Sequence, residues 1–171
     1  MASKPRVTAP EQKTGNVVRD SSLALVPETL DPYLAVNALI WLGGPLNAAE
    51  IEIARLRNAR TVNCVFCRNV RYDIAIEAGL DESKVAMIED GFIDSALSDR
   101  EKLILEFTDQ YLGNPAAIGT DLQQRLLAEF TTAELVHLSM AISHFHGFSR
   151  CAVSLGGMPD DMPRMEVSLP D

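Results

Sequence analysis

Nine prolines are present in the 171 residues, yet Pro115 alone falls between Leu46 and Met158. That long stretch is nearly free of the residue that breaks helix interiors through ring clash and a missing N–H. Alternating strand patterning is sustained nowhere in it, and most of its glycines fall where helices would stop. The expected fold is all-α, with six or seven helices.

Local capping signals set the boundaries. Asn47 with Glu50, Ser98 with Glu101 and Thr131 with Glu134 each place a capping residue three positions before a glutamate, the spacing at which two orphan N–H groups are satisfied reciprocally. Helices are predicted over Leu30–Leu42, from Asn47 to about Val62, and from a turn at Asn63 through Cys64 and Cys67 to Gly79. Others follow near Asp81–Glu89, from Ser98 to Gly113, from Thr120 to Phe130 and from Thr131 to Gly156. Residues 1–22 read as a flexible lead, 23–157 as the helical domain and 158–171 as a tail.

Charge narrows the function classes. Fifteen Lys and Arg stand against 24 Asp and Glu, a formal net charge of −9. Nucleic acid and anionic membranes both call for a basic face, so neither is expected as a partner. No apolar run approaches the roughly 18 residues of a membrane span. The segment Met1–Asp20 has no apolar stretch resembling a signal-peptide core, and a cytoplasmic location is expected.

Three cysteines are too few for a disulfide framework. Two of them, Cys64 and Cys67, form a C-x-x-C at a predicted helix start. Positions i and i+3 share a face, with Cβ atoms about 5–6 Å apart, within modest adjustment of disulfide geometry. A helix N-terminus favours thiolate, the reactive form. The alternatives are a pair of small buried apolar residues or half of a zinc site, which lacks a second C-x-x-C.

Residues 52–71 hold one acid, Glu52, and five arginines, Arg55, Arg57, Arg60, Arg68 and Arg71. This is a +4 segment in an acidic chain, and nearby cations stabilise a thiolate. The bland alternative pairs each arginine with an acid on a neighbouring helix. On a continuous helix Arg71 shares the face of Cys67 at i+4. Glu52 is either a solvated residue or a buried partner of the thiols.

Weaker candidates follow. His144 and His146 lie two apart, so on one helix at most one aims at a given site. His137 reads as structural. Gly147 suggests close packing or a ligand wall, and Cys151 a buried apolar residue. Trp41, Phe92 and Tyr72 read as core that could line a pocket.

Glu52-Ile-Ala-Arg-Leu-Arg-Asn-Ala, followed after four residues by Cys64-x-x-Cys67, resembles the signature of the carboxymuconolactone decarboxylase superfamily, in its alkylhydroperoxidase D-like (AhpD-like) branch. The phrases Leu97–Lys102, Phe130–Val136 and Phe145–Arg150 are similar as well, so the likeness covers roughly residues 30–157. The resemblance implies an AhpD-like helical bundle that assembles as a trimer or hexamer. It implies a thiol peroxidase whose cysteines cycle through a disulfide without a bound cofactor, with a Glu and a His as proton relay. A lipoamide- or thioredoxin-type donor restores the dithiol. Glu52, Cys64 and Cys67 match the pattern. Arg71 stands at the relay His position, and Phe66 where the best-known members often have His. Arginine stays protonated and cannot relay a proton, so the expected role of Arg71 is to hold a thiolate by fixed charge.

The leading reading is therefore a thiol-dependent peroxidase or disulfide oxidoreductase, with Cys64, Cys67, Glu52 and Arg71 as catalytic candidates and His144, His146 and Phe66 in support. The sequence leaves open which cysteine attacks. Two alternatives remain: a decarboxylase-type lyase whose arginines bind a carboxylated substrate, and a non-catalytic oligomeric module with a degenerate site.

Overall fold

A computed structural model describes residues 4–169. The first three positions of the expected lead and the last two of the expected tail lie outside the described residues. The helices are α1 (Pro27–Leu42), α2 (Ala48–Thr61), α3 (Val65–Asn69), α4 (Asp73–Glu77), α5 (Glu82–Met87), α6 (Asp99–Gly113), α7 (Thr120–Glu129) and α8 (Thr132–Leu155). Two short strands, β1 (Val70–Tyr72) and β2 (Met165–Val167), pair in parallel with Val70 opposite Met165. The all-α expectation holds, with eight helices among the described residues rather than six or seven.

All three predicted capping boxes form, before α2, α6 and α8. All three of their glutamates have a second partner, Lys84 in the case of Glu101. The Arg100 guanidinium donates to Glu50, at the start of α2, and to Glu134, at the start of α8. It also lies 4.1 Å from the Phe130 ring centroid. One arginine thereby ties together the N-termini of the two central helices.

Helix α2 is buried almost all round, against α8 on one side and α6 on another. Ile51, Ile53 and Leu56 join Ile104, Leu105, Leu138 and Ile142 in the core, and each such side chain contributes about 1.5–3 kcal/mol on burial. A helix in this position cannot turn a polar face to water. Its Glu52, Arg55 and Asn58 are buried too, and burial without partners would be costly.

His137 ties α8 to the α1–α2 loop. Its Nδ1 accepts from the Leu46 N–H, and its Nε2 faces the Ile40 carbonyl at 2.9 Å. A Cβ on Gly44 would fall 2.0 Å from that ring, so the loop passes only as glycine.

The helix expected from Cys64 to Gly79 is interrupted. Asn63 takes φ 55° and the chain turns into α3, which ends after five residues. Arg55 donates to the carbonyls of Cys67 and Val70, and Arg71 to those of Arg68 and Val70. A continuing helix would need all three of these carbonyls, those of Cys67, Arg68 and Val70, for its own ladder. Guanidinium groups take them instead, and the chain runs on as β1.

Candidate active site

Cys64 and Cys67 are joined as a disulfide with Cα atoms 5.2 Å apart. Cys64 is the N-cap of α3 and its sulfur accepts from the Cys67 N–H at 3.1 Å. Because α3 is a single turn, support for negative charge there comes from individual N–H groups rather than from a long helix dipole. Both cysteines are buried, at 0% and 5% exposure. With Ala59 the two cysteines form a small apolar cluster, against which Phe66, Val153 and Met158 pack.

Cys67 lines a cavity of about 360 Å³, together with Tyr33, Tyr72, His144 and Phe148. Val17 and Val18 from the N-terminal lead and Met165 and Val167 from β2 also line it. Phe66 and Phe148 also border a neighbouring apolar cavity of about 440 Å³. Both volumes suit a small organic molecule.

Glu52 is wholly buried and is the partner of Arg55. Arg55 Nε and Nη2 donate to its two carboxylate oxygens at 2.6 and 2.7 Å, a planar bidentate pair. Burial opposes the charge of Arg55, but Glu52 beside it outweighs burial and holds the guanidinium pKa above its usual value. Nη1 and Nη2 continue to the Cys67 and Val70 carbonyls, each at 2.7 Å. Glu52 thus meets the cysteine segment through Arg55.

Arg71 does not follow Cys67 on a helix face. It lies in β1, and its Nε donates to Glu82 at 2.8 Å. The shared face expected at i+4 is absent because α3 stops at Asn69. The basic pocket resolves in the same way. Arg57 pairs with Asp109 and Asp90, Arg60 with Glu89, and Arg55 with Glu52. The +4 of the segment is largely neutralised by acids distant in sequence.

The two histidines face different surroundings, and neither bonds a cysteine directly. His144 lines the cavity, stacks on Tyr33 at 4.0 Å and has its Nε2 3.2 Å from Asn37 Oδ1. Burial pushes its pKa down to about 4, so it is neutral at pH 7. His146 points behind the site, with Nδ1 2.9 Å from Asn58 Oδ1. Asn58 Nδ2 donates to Ser149 Oγ at 3.1 Å, and Ser149 Oγ donates to Cys67 Sγ at 3.5 Å. Arg55, Asn58 and Ser149 were not singled out in the sequence as site residues. Their signal was polarity at positions whose helical neighbours are apolar.

Two minor expectations change, at Cys151 and Gly147, and one holds. Cys151 is exposed rather than buried. Gly147 has open space where a side chain would go, so it marks no close packing. As expected, Trp41 and Phe92 are core, while Tyr72 packs tilted against Trp41 and lines the cavity. Among the described residues no helix is long and apolar enough to cross a membrane.

No family model matches the chain. Uncharacterized proteins from two strains of Mycobacterium tuberculosis, CDC 1551 / Oshkosh and H37Rv, are each 30% identical over 154 residues, covering 90% of this chain and 51% of theirs. The chain thus spans about half the length of the curated relatives it matches. A protein of unknown function from Agrobacterium tumefaciens, named as a candidate antioxidant defence protein AhpD, superposes with a TM-score of 0.67 at 20% identity, over 89% of this chain and 95% of that one. An uncharacterized peroxidase-related protein from Silicibacter sp. TM1040 superposes with a TM-score of 0.69 at 18% identity, over 85% and 76%. The helical bundle that carries Glu52, Cys64 and Cys67 is therefore an AhpD-like fold, shared with peroxidase-related proteins.

Proposed function

We propose that the protein is a thiol-dependent peroxidase that cycles through the Cys64–Cys67 disulfide. The observation that carries this reading is the placement of the pair: Cys67 opens on a cavity while Cys64 lies bonded behind it. The names of the two structural neighbours, antioxidant defence and peroxidase-related, point the same way.

On this reading Cys67 is the attacking sulfur. Its thiolate forms an S–O bond to the distal peroxide oxygen as the O–O bond breaks, and the departing alkoxide or hydroxide takes up a proton. The resulting sulfenic acid is attacked by Cys64, forming the disulfide and releasing water once a proton is supplied. An external dithiol returns two electrons by thiol–disulfide exchange and leaves as a disulfide. A lipoamide- or thioredoxin-type donor fits that requirement. Assembly as a trimer or hexamer belongs to the same proposal, from the resemblance.

The lyase alternative drew on free arginines to bind a carboxylate. Arg55 is the one among the five that lines the cavity, and it is already closed on Glu52.

Peroxide consumption with dihydrolipoamide as donor tests the reading. Wild type is expected to turn over, Cys67→Ser to be inactive, and Cys64→Ser to stop at a sulfenic acid that dimedone traps. Equal rates in all three proteins would overturn it.

A further inference from the structure

Asn58 and Ser149 are buried polar residues, at 0% and 3% exposure, and the steps above make no use of them. They lie 91 residues apart in sequence. Asn58 comes from α2, whereas His146, Ser149 and Arg150 occupy one face of α8 at i, i+3 and i+4. At the solvent end of this group, Arg150 Nε donates to His146 Nε2 at 2.7 Å.

The direction of every bond follows from that end. Arginine remains protonated and offers only donors. His146 Nε2 must therefore be an acceptor, and the proton of the neutral ring sits on Nδ1. Nδ1–H then donates to Asn58 Oδ1, which fixes which way the amide points. The Asn58 NH2 faces Ser149 and donates to its Oγ. The hydroxyl hydrogen of Ser149 is left to point at Cys67 Sγ. Four bonds run one way, from a fixed cation to a sulfur.

We propose that Arg150, His146, Asn58 and Ser149 form a one-way hydrogen-bond chain that holds the Cys67 sulfur as a thiolate. Ser149 touches the reacting atom; the other three are positioning residues. The proposal rests on Cys67 being the attacking cysteine. It also supplies, from α8, support for the thiol that Arg71, turned to Glu82, does not give. The other ionisable groups around the cavity are Tyr33, Arg55 with Glu52, Tyr72, His144 and Glu166, contributed by α1, α2, β1, α8 and β2. Among the described residues the side chain donating to Cys67 Sγ is that of Ser149. Neutrality of His146 is helped by burial and by the adjacent Arg150 charge, both of which lower its pKa.

The test reads the thiol and needs no peroxide. In fully reduced full-length protein, the pH profile of Cys67 alkylation by iodoacetamide is followed by mass spectrometry. Ser149→Ala is expected to move the midpoint up by about one unit, the scale of one hydrogen bond to a charged group, and Ser149→Thr to restore it. His146→Leu is expected to move it in the same direction, and His146→Asn, which keeps a donor near the Nδ1 position, to move it less. Arg150 is exposed, so Arg150→Leu probes the chain without disturbing the core; it should raise the midpoint and release His146 toward a normal pKa by NMR. An unchanged midpoint in Ser149→Ala, or equal shifts in Ser149→Ala and Ser149→Thr, would overturn the chain. If the core variants do not fold, an unchanged midpoint in Arg150→Leu overturns it. Absence of peroxide turnover in wild type overturns the proposed function instead, and leaves the alkylation result standing.

Discussion

Arg55 closes on both carboxylate oxygens of Glu52 and donates from the same guanidinium to the carbonyl of Cys67. A buried ion pair therefore fixes the backbone at the residue that faces the cavity. Removing one member leaves the other charged and dry, which costs about 3–5 kcal/mol. Glu52→Ala is expected to lose that much stability in urea unfolding. The double variant Glu52→Leu with Arg55→Met is expected to recover most of it, since an apolar pair of similar volume replaces the ions. If so, stability and thiol chemistry separate: the double variant folds, but its Cys67 segment is no longer held.

Arg71 invites the opposite expectation. Its charge is answered by Glu82 and its other N–H groups by the Arg68 and Val70 carbonyls. Arg71→Ala should leave the Cys67 alkylation midpoint within about 0.3 unit of wild type while lowering stability by about 1–2 kcal/mol through the lost carbonyl partners. A shift of the midpoint comparable to that of Ser149→Ala would assign Arg71 an electrostatic role after all.

Stability should also depend on pH through His144. Its folded pKa, about 4, lies below the ordinary 6.5 because burial disfavours the imidazolium. The unfolded chain therefore binds the proton more readily than the folded one between these values. The contribution is complete above about pH 6.5 and is lost as pH falls toward 4. His146 shifts in the same direction. Thermal melts from pH 7 to 4 should show the midpoint falling, and His144→Gln should flatten that limb. Equal slopes in the two proteins would assign the acid sensitivity elsewhere.

Arg100 offers a fourth measurement. Arg100→Ala removes a shared partner of Glu50 and Glu134, and a loss of about 1–3 kcal/mol is expected from the broken charge-assisted bonds. Thirty residues and more separate Arg100 from either sulfur in sequence. A rise in the Cys67 alkylation midpoint in the same variant would report coupling between the helix starts and the thiol.

The features legible in the sequence were the local ones. Asn47, Ser98 and Thr131 each bond to a partner three residues away, so their capping boxes could be read directly. The cysteine pair was legible for the same reason. Helix α3 failed to continue because Arg55, twelve residues before Cys67, takes its carbonyl, and because β1 pairs with a strand nearly a hundred residues later. Neither cause leaves a trace in local periodicity. Arg71 was misplaced by that failure alone, since the i+4 argument holds only on an unbroken helix. Asn58 and Ser149 were hidden more deeply, because a polar residue on a buried helix has no meaning until the helix opposite is known.

The tie through Arg100 bears on how closely the thiol site is machined. Asn58 lies eight residues along α2 from Glu50, and Ser149 fifteen residues along α8 from Glu134, rises of about 12 and 22 Å. Both helices are thus tied to one guanidinium near their starts, with the meeting point seven residues further along α8 than along α2. Sliding either by one residue would carry Asn58 and Ser149 past each other by half the length of the bond between them. Arg100, which does not line the cavity, thus ties the two helices whose register sets how Asn58 meets Ser149.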